Sequence, residues 1–169
     1  MEEGSHRLTS SEIRADRRLE DEFGEVDSLA SDVVINLFQA QALVEEQLAR
    51  HLRPHGLSLG GFRLAMILRI AGEPLSPMDI AARLRVTRGS VTGLLDSLEQ
   101  RGVVERRAHP RDRRMLLVEL TPEGRSRLDA LLPAWFLGER RIVEVLSHEE
   151  QQTLVELLGR LETRLLELR

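Results

Sequence analysis

Two places in this chain set a helix-capping hydroxyl directly before a proline, Ser76 with Pro77 and Thr121 with Pro122, and they bracket the stretch that most restricts its fold. A hydroxyl at the cap accepts a first-turn amide, and a proline at the next position loses nothing because that N–H has no intrahelical acceptor. Each pair therefore predicts a helix start. The helix after Pro77 is short: residues 78–84 bury Ile80, Ala81 and Leu84. The connection Arg85, Val86, Thr87 then leads to a second helix, capped by Thr87, with Val91, Leu94, Leu95 and Leu98 along its buried stripe. Gly102 ends that helix. Two Val- and Leu-rich runs, 103–107 and 115–120, straddle the polar segment AHPRDRR, which predicts a β-hairpin with a basic tip. Leu75 suits one further short strand.

Short helix, tight turn, helix and basic hairpin, in that order, make a winged helix-turn-helix, whose second helix enters the major groove of duplex DNA. The flanks are helical as well. Residues 28–52 repeat Leu29, Val33, Leu37, Phe38, Leu43, Val44, Leu48 and Leu52 at helical spacing until Pro54 and Gly56 intervene. Residues 59–70 are apolar around most of the helix circumference and belong at the centre. A helix from Pro122 to about residue 144 follows the hairpin, and Ser147 with Glu150 forms a capping box for a last helix bearing Leu154, Leu157, Leu158, Leu161, Leu165 and Leu168. The expected architecture is mainly α with a small β-wing. Residues 1–26 form an extension, disordered or a short helix over 10–23; 27–57 a dimerisation helix; 58–120 the winged core, with the recognition helix at 87–101 and the wing at 103–120; and 121–169 the C-terminal dimerisation helices. Two long amphipathic helices exceed what so small a winged core can cover, so a homodimer is expected.

Charge supports a nucleic-acid partner only when its distribution is followed. The net charge is −4, yet residues 1–50 hold twelve acids against five Arg, whereas 83–114 hold nine Arg against four acids. A basic stripe on an acidic chain is an electrostatic footprint. All 24 basic residues are Arg, which reflects genomic base composition before it reflects DNA contact. Cysteine is absent, which excludes thiol redox switches, and the five His show no metal-ligand spacing, so no metal or cofactor is expected. No apolar run approaches a membrane span. A cytoplasmic protein with no membrane partner is expected.

On the helix capped by Thr87, the buried stripe leaves Arg88, Gly89, Ser90, Thr92, Gly93 and Asp96 facing outward. Arg88 suits a guanine edge or a phosphate, while Thr87 and Ser90 stand at a helix N-terminus, where the dipole attracts phosphate oxygens. The tip places Arg111, Arg113 and Arg114 around Asp112, and such guanidinium groups fit a narrow minor groove.

These residues resemble the MarR family of bacterial regulators. Residues 74–128 carry the likeness, most specifically LEQRGVVERR, the wing sequence HPRDRR and the following LTPEG, and with flanking helices it extends over roughly 28–168. The resemblance implies DNA contacts from Thr87, Arg88, Ser90, Thr92, Arg111, Arg113 and Arg114 to a pseudo-palindromic operator. It further implies a repressor released by a small aromatic or lipophilic acid, with Arg63 as counter-ion. Gly93 departs from the family pattern, which often has a basic or polar residue there.

Other readings stay open. Phe38, Phe62, Met66 and Trp135, beside Arg63, line an effector pocket or simply form core, as apolar residues at helical spacing usually do. Arg63 and Arg69 bind an anion or form surface ion pairs. The winged fold serves a protein–protein interaction module without specific DNA binding if the wing is incidental. An enzyme using His109 and Asp112 lacks a nucleophile or phosphate loop nearby.

Overall fold

The computed structural model describes residues 18–24, 27–110 and 115–168. Seven helices and one hairpin follow in order among them: α1 Arg18–Phe23, α2 Ser28–Leu52, α3 Leu59–Ala71, α4 Pro77–Leu84, α5 Arg88–Gln100, β1 Val104–Ala108, β2 Leu116–Leu120, α6 Pro122–Val143 and α7 His148–Glu167. Helix α1 covers the end of the helix expected over 10–23; the rest of that expectation lies outside the described residues. The described residues group into two compact units, one ending at Glu46 and the other starting at Gln47, so that α2 runs through the division. The second unit continues past the expected winged core at residue 120, because α6 buries Leu128, Leu131, Leu132 and Trp135.

Local chemistry explains most boundaries. A 3₁₀ turn over Arg53–His55, with Pro54 near its start and Gly56 left-handed at φ 65°, closes α2. Ser58, a cap not singled out from the sequence, accepts the Gly61 amide at 3.0 Å and starts α3. Ser76, Thr87, Thr121 and Ser147 each cap their helix through the side-chain oxygen. The Ser147 and Glu150 capping box is reciprocal. Pro133 stands inside α6, a residue the expected helix ran through, and deprives the Asp129 carbonyl of its amide partner.

The hairpin is antiparallel, with Val104 opposite Leu120 and Arg106 opposite Val118, and Leu75 bridges to Val118. Side chains alternate faces along a strand, so Val104, Arg106 and Val118 share the inner face. Leu64, Ile80, Val91, Leu95, Leu98, Val118, Leu128 and Leu131 are fully buried and join α3, α4, α5, α6 and the sheet in one core. Each such side chain contributes about 1.5–3 kcal/mol. On α4 only Ile80 is fully buried; Ala81 and Leu84, expected inside, are half-buried, since a helix of eight residues makes only about two turns and covers its own flanks poorly.

Two positions fix the recognition unit tightly. Thr121 donates its hydroxyl to the Gly102 carbonyl at 2.6 Å, and a Cβ on Gly124 would lie 2.0 Å from the Val103 carbonyl oxygen. The LTPEG segment thus presses the first turn of α6 against the root of the wing. Arg85, at the end of α4, has φ 58°. A left-handed conformation costs a residue with a Cβ about 1–2 kcal/mol.

Candidate nucleic-acid interface

Helix α5 shows the face that its sequence implies. Val91, Leu95 and Leu98 are buried and Leu94 is half-buried, while Arg88, Gly89, Ser90, Thr92, Gly93 and Asp96 are exposed. At its start Thr87 Oγ1 accepts the Ser90 amide at 3.2 Å and lies 2.9 Å from Ser90 Oγ. One of the two hydroxyl protons is used between them, which leaves the other free to donate to a phosphate oxygen. The first-turn amides of Arg88 and Gly89 lack intrahelical acceptors, as at any helix start, and add to the same positive end. Thr92 differs from its neighbours, because its hydroxyl donates back to the Arg88 carbonyl at 3.1 Å.

The two glycines on this face answer to no neighbour. A Cβ on Gly93 would meet nothing within 4 Å, and one on Gly89 only Thr87 Oγ1 at 3.9 Å. Packing inside the chain does not require either. Arg88 borders an open cleft of about 220 Å³ together with Ser76, Pro77, Met78, Met115 and Leu116, where α4, α5 and the start of β2 meet. Arg111, Arg113 and Arg114, with Asp112, lie outside the described residues.

The structure also shows charge pairing that the sequence pattern did not reveal. Arg106 donates to Glu99 Oε2 and Asp96 Oδ1, both at 2.6 Å, and its side chain is only 21% exposed. This forked pair clamps β1 to α5 and takes up the carboxylate of Asp96. The signal available in the sequence was the strand alternation that sets Arg106 beside Val104 and Val118. Arg107 pairs with Glu119 across the hairpin at 2.7 Å, and Arg85 pairs with Glu162 of α7. Of the nine stripe arginines, then, 85, 106 and 107 are partly neutralised.

The five residues weighed as an effector site are dispersed in character. Phe62 and Trp135 are buried and in contact, ring centroids 4.1 Å apart and planes tilted by 40°, with Trp135 Nε1 donating to Glu139 at 2.7 Å. Met66 is half-buried, Arg63 is exposed, and Phe38 on α2 is 66% exposed. Arg69 forms a surface ion pair, donating to Asp129 through two nitrogens at 2.9 and 2.6 Å. Among the described residues no helix is long and apolar enough to cross a membrane.

Comparison with known proteins bears on this geometry. A family model described as "MarR family" matches residues 55–115, a span that holds α3, the helix pair and the start of the wing. The transcriptional repressor YetL of Bacillus subtilis is 35% identical over 144 residues, 85% of this chain and 86% of that protein. A probable transcriptional regulator from Pseudomonas aeruginosa superposes with a TM-score of 0.72 at 30% identity, over 79% of this chain and 98% of that one. A mutant of the E. coli MarR protein in complex with operator DNA matches in fold, with a TM-score of 0.74 at 22% identity over 87% and 99% of the two chains.

Proposed function

The chain belongs to the MarR family of DNA-binding transcription regulators, and from that premise we propose that it is a homodimeric repressor that a small aromatic or lipophilic ligand releases from a pseudo-palindromic operator. The single observation that carries the DNA reading is α5 itself: a helix capped by Thr87 whose exposed face offers Arg88, Ser90 and backbone uncovered at Gly89 and Gly93. In this reading Thr87, Ser90 and Thr92 flank the groove, Arg88 takes a guanine edge or a phosphate, and Arg111, Arg113 and Arg114 follow the minor groove from the wing. Similarity to a named repressor favours repression.

Homodimerisation rests on the terminal helices. Helix α7 has no buried residue, and Leu154, Leu157, Leu158, Leu161, Leu165 and Leu168 are 41–65% exposed. Leu29, Val33, Val34, Leu37, Phe38 and Leu43 are likewise exposed along α2. Apolar surface on that scale needs a partner, and residues 27–57 with 121–169 would supply it from two copies. The ligand would enter beside Phe62, Met66 and Trp135, with Arg63 as counter-ion, and would have to part the Phe62 and Trp135 rings. A ligand that prefers one separation of the recognition helices must lose affinity for the DNA-bound form by the factor that DNA loses. Calorimetry with a panel of phenolic acids on free and DNA-bound protein tests this: tighter binding to the free form is expected, and equal affinity for both forms contradicts ligand release.

A further inference from the structure

Wherever else the described chain turns left-handed it uses glycine, at Gly24, Gly56, Gly72 and Gly102. Arg85 breaks that rule at φ 58°, in the turn that joins α4 to the recognition helix. Glycine would relieve the strain at this helix end, which turns attention to what the side chain of Arg85 reaches. Its guanidinium reaches Glu162, 77 residues away on α7, and pairs with it. The pair sits at two meaningful places. Two residues beyond Arg85, Thr87 caps the recognition helix; on the other side, Glu162 lies between Leu161 and Leu165 of the exposed leucine stripe.

Both groups are about half exposed, and an exposed ion pair adds little to the stability of a chain. It can still choose between orientations of two elements that few other contacts join. Helix α7 buries none of its residues, so the winged unit holds it loosely apart from the turn after α6, where Gln151 donates to the carbonyls of Val143 and Leu146.

We infer that the Arg85–Glu162 pair is a tether that fixes the recognition helix against the dimerisation helix, and so sets the half-site spacing that the dimer accepts. Arg85 and Glu162 act here as positioning residues. The inference rests on the proposed dimer and its two half-sites. DNA couples spacing to the helical repeat, so a fixed separation of two recognition helices reads as a preference for one spacing.

The test uses the full chain and a half-site selected by the wild-type protein from random duplexes, placed singly or as inverted pairs at stepped spacings. Wild type is expected to prefer one spacing. Glu162→Arg should stay dimeric by sedimentation and bind the single half-site unchanged, while its spacing preference falls about 3- to 10-fold, two pairs being lost per dimer. The swap Arg85→Glu with Glu162→Arg should restore the preference. Arg85→Gly should raise the melting temperature and yet lose the preference, a combination that a merely structural role would not give. An unchanged preference in Glu162→Arg overturns the tether, as does a rise in its affinity for the single half-site, which would show that Glu162 only withholds Arg85 from phosphate. Failure of wild type to bind any paired site would instead overturn the proposed function.

Discussion

Glycine-to-alanine substitution should have opposite signs at Gly124 and Gly93. At Gly124 the added carbon meets the Val103 carbonyl, a backbone group held by Thr121, and cannot be accommodated by a side-chain adjustment. Gly124→Ala should cost at least about 1–3 kcal/mol in urea denaturation, the usual range for overpacking. Gly93→Ala enters open space and should stabilise the fold by up to about 1 kcal/mol, the helix-propensity difference. If the backbone of α5 approaches DNA at that point, the same variant should bind its operator less tightly. Arg88→Ala should leave the melting curve in place and weaken operator binding by about 1–3 kcal/mol, measured by fluorescence anisotropy. Of these residues the sequence displayed Arg88 and the outward face, because a helical period and a cap are local signals. It did not display the crowding at Gly124 or the partners of Arg85 and Arg69, since those depend on atoms far along the chain, 77 and 60 residues away for the two arginines.

Elements were legible where their ends are written in short-range chemistry. The caps at Ser76 and Thr121 stand where the cap-then-proline pairs put them, Ser147 where the capping box does and Thr87 at the end of the tight connection, and Leu75 makes its bridge to Val118. Ser58 was missed because no proline or paired acid marks it, and half-burial of Ala81 and Leu84 shows that an apolar stripe on an eight-residue helix overstates its depth. The last helix carries a pH signature. Hydrogen bonds from the Ser147 amide and then from its side chain hold the Glu150 carboxyl below its ordinary value. A lowered folded-state value means that the stabilisation is full above the ordinary carboxylate range and is lost as pH falls through the lowered value. Acid titration followed by circular dichroism should show that loss in wild type and a flatter response in Glu150→Gln, whose amide keeps an acceptor without a charge.

Across the whole molecule, the sequence marked the terminal helices as amphipathic but not what their apolar faces meet, because a stripe of leucines specifies burial and not a partner. Removing residues 147–169 takes away six exposed stripe leucines, each worth about 1.5–3 kcal/mol if an interface covers it. The truncated chain should sediment as a monomer or fail to fold, and a stable truncated dimer would move the interface elsewhere. In the proposed dimer two recognition helices, related by a two-fold axis, read one face of a duplex. Footprinting of the full chain on the DNA upstream of its own gene tests that most directly. Two inverted half-sites protected together, about 10 bp apart centre to centre, are the expected result; protection of a single half-site, or of an asymmetric tract, would contradict it.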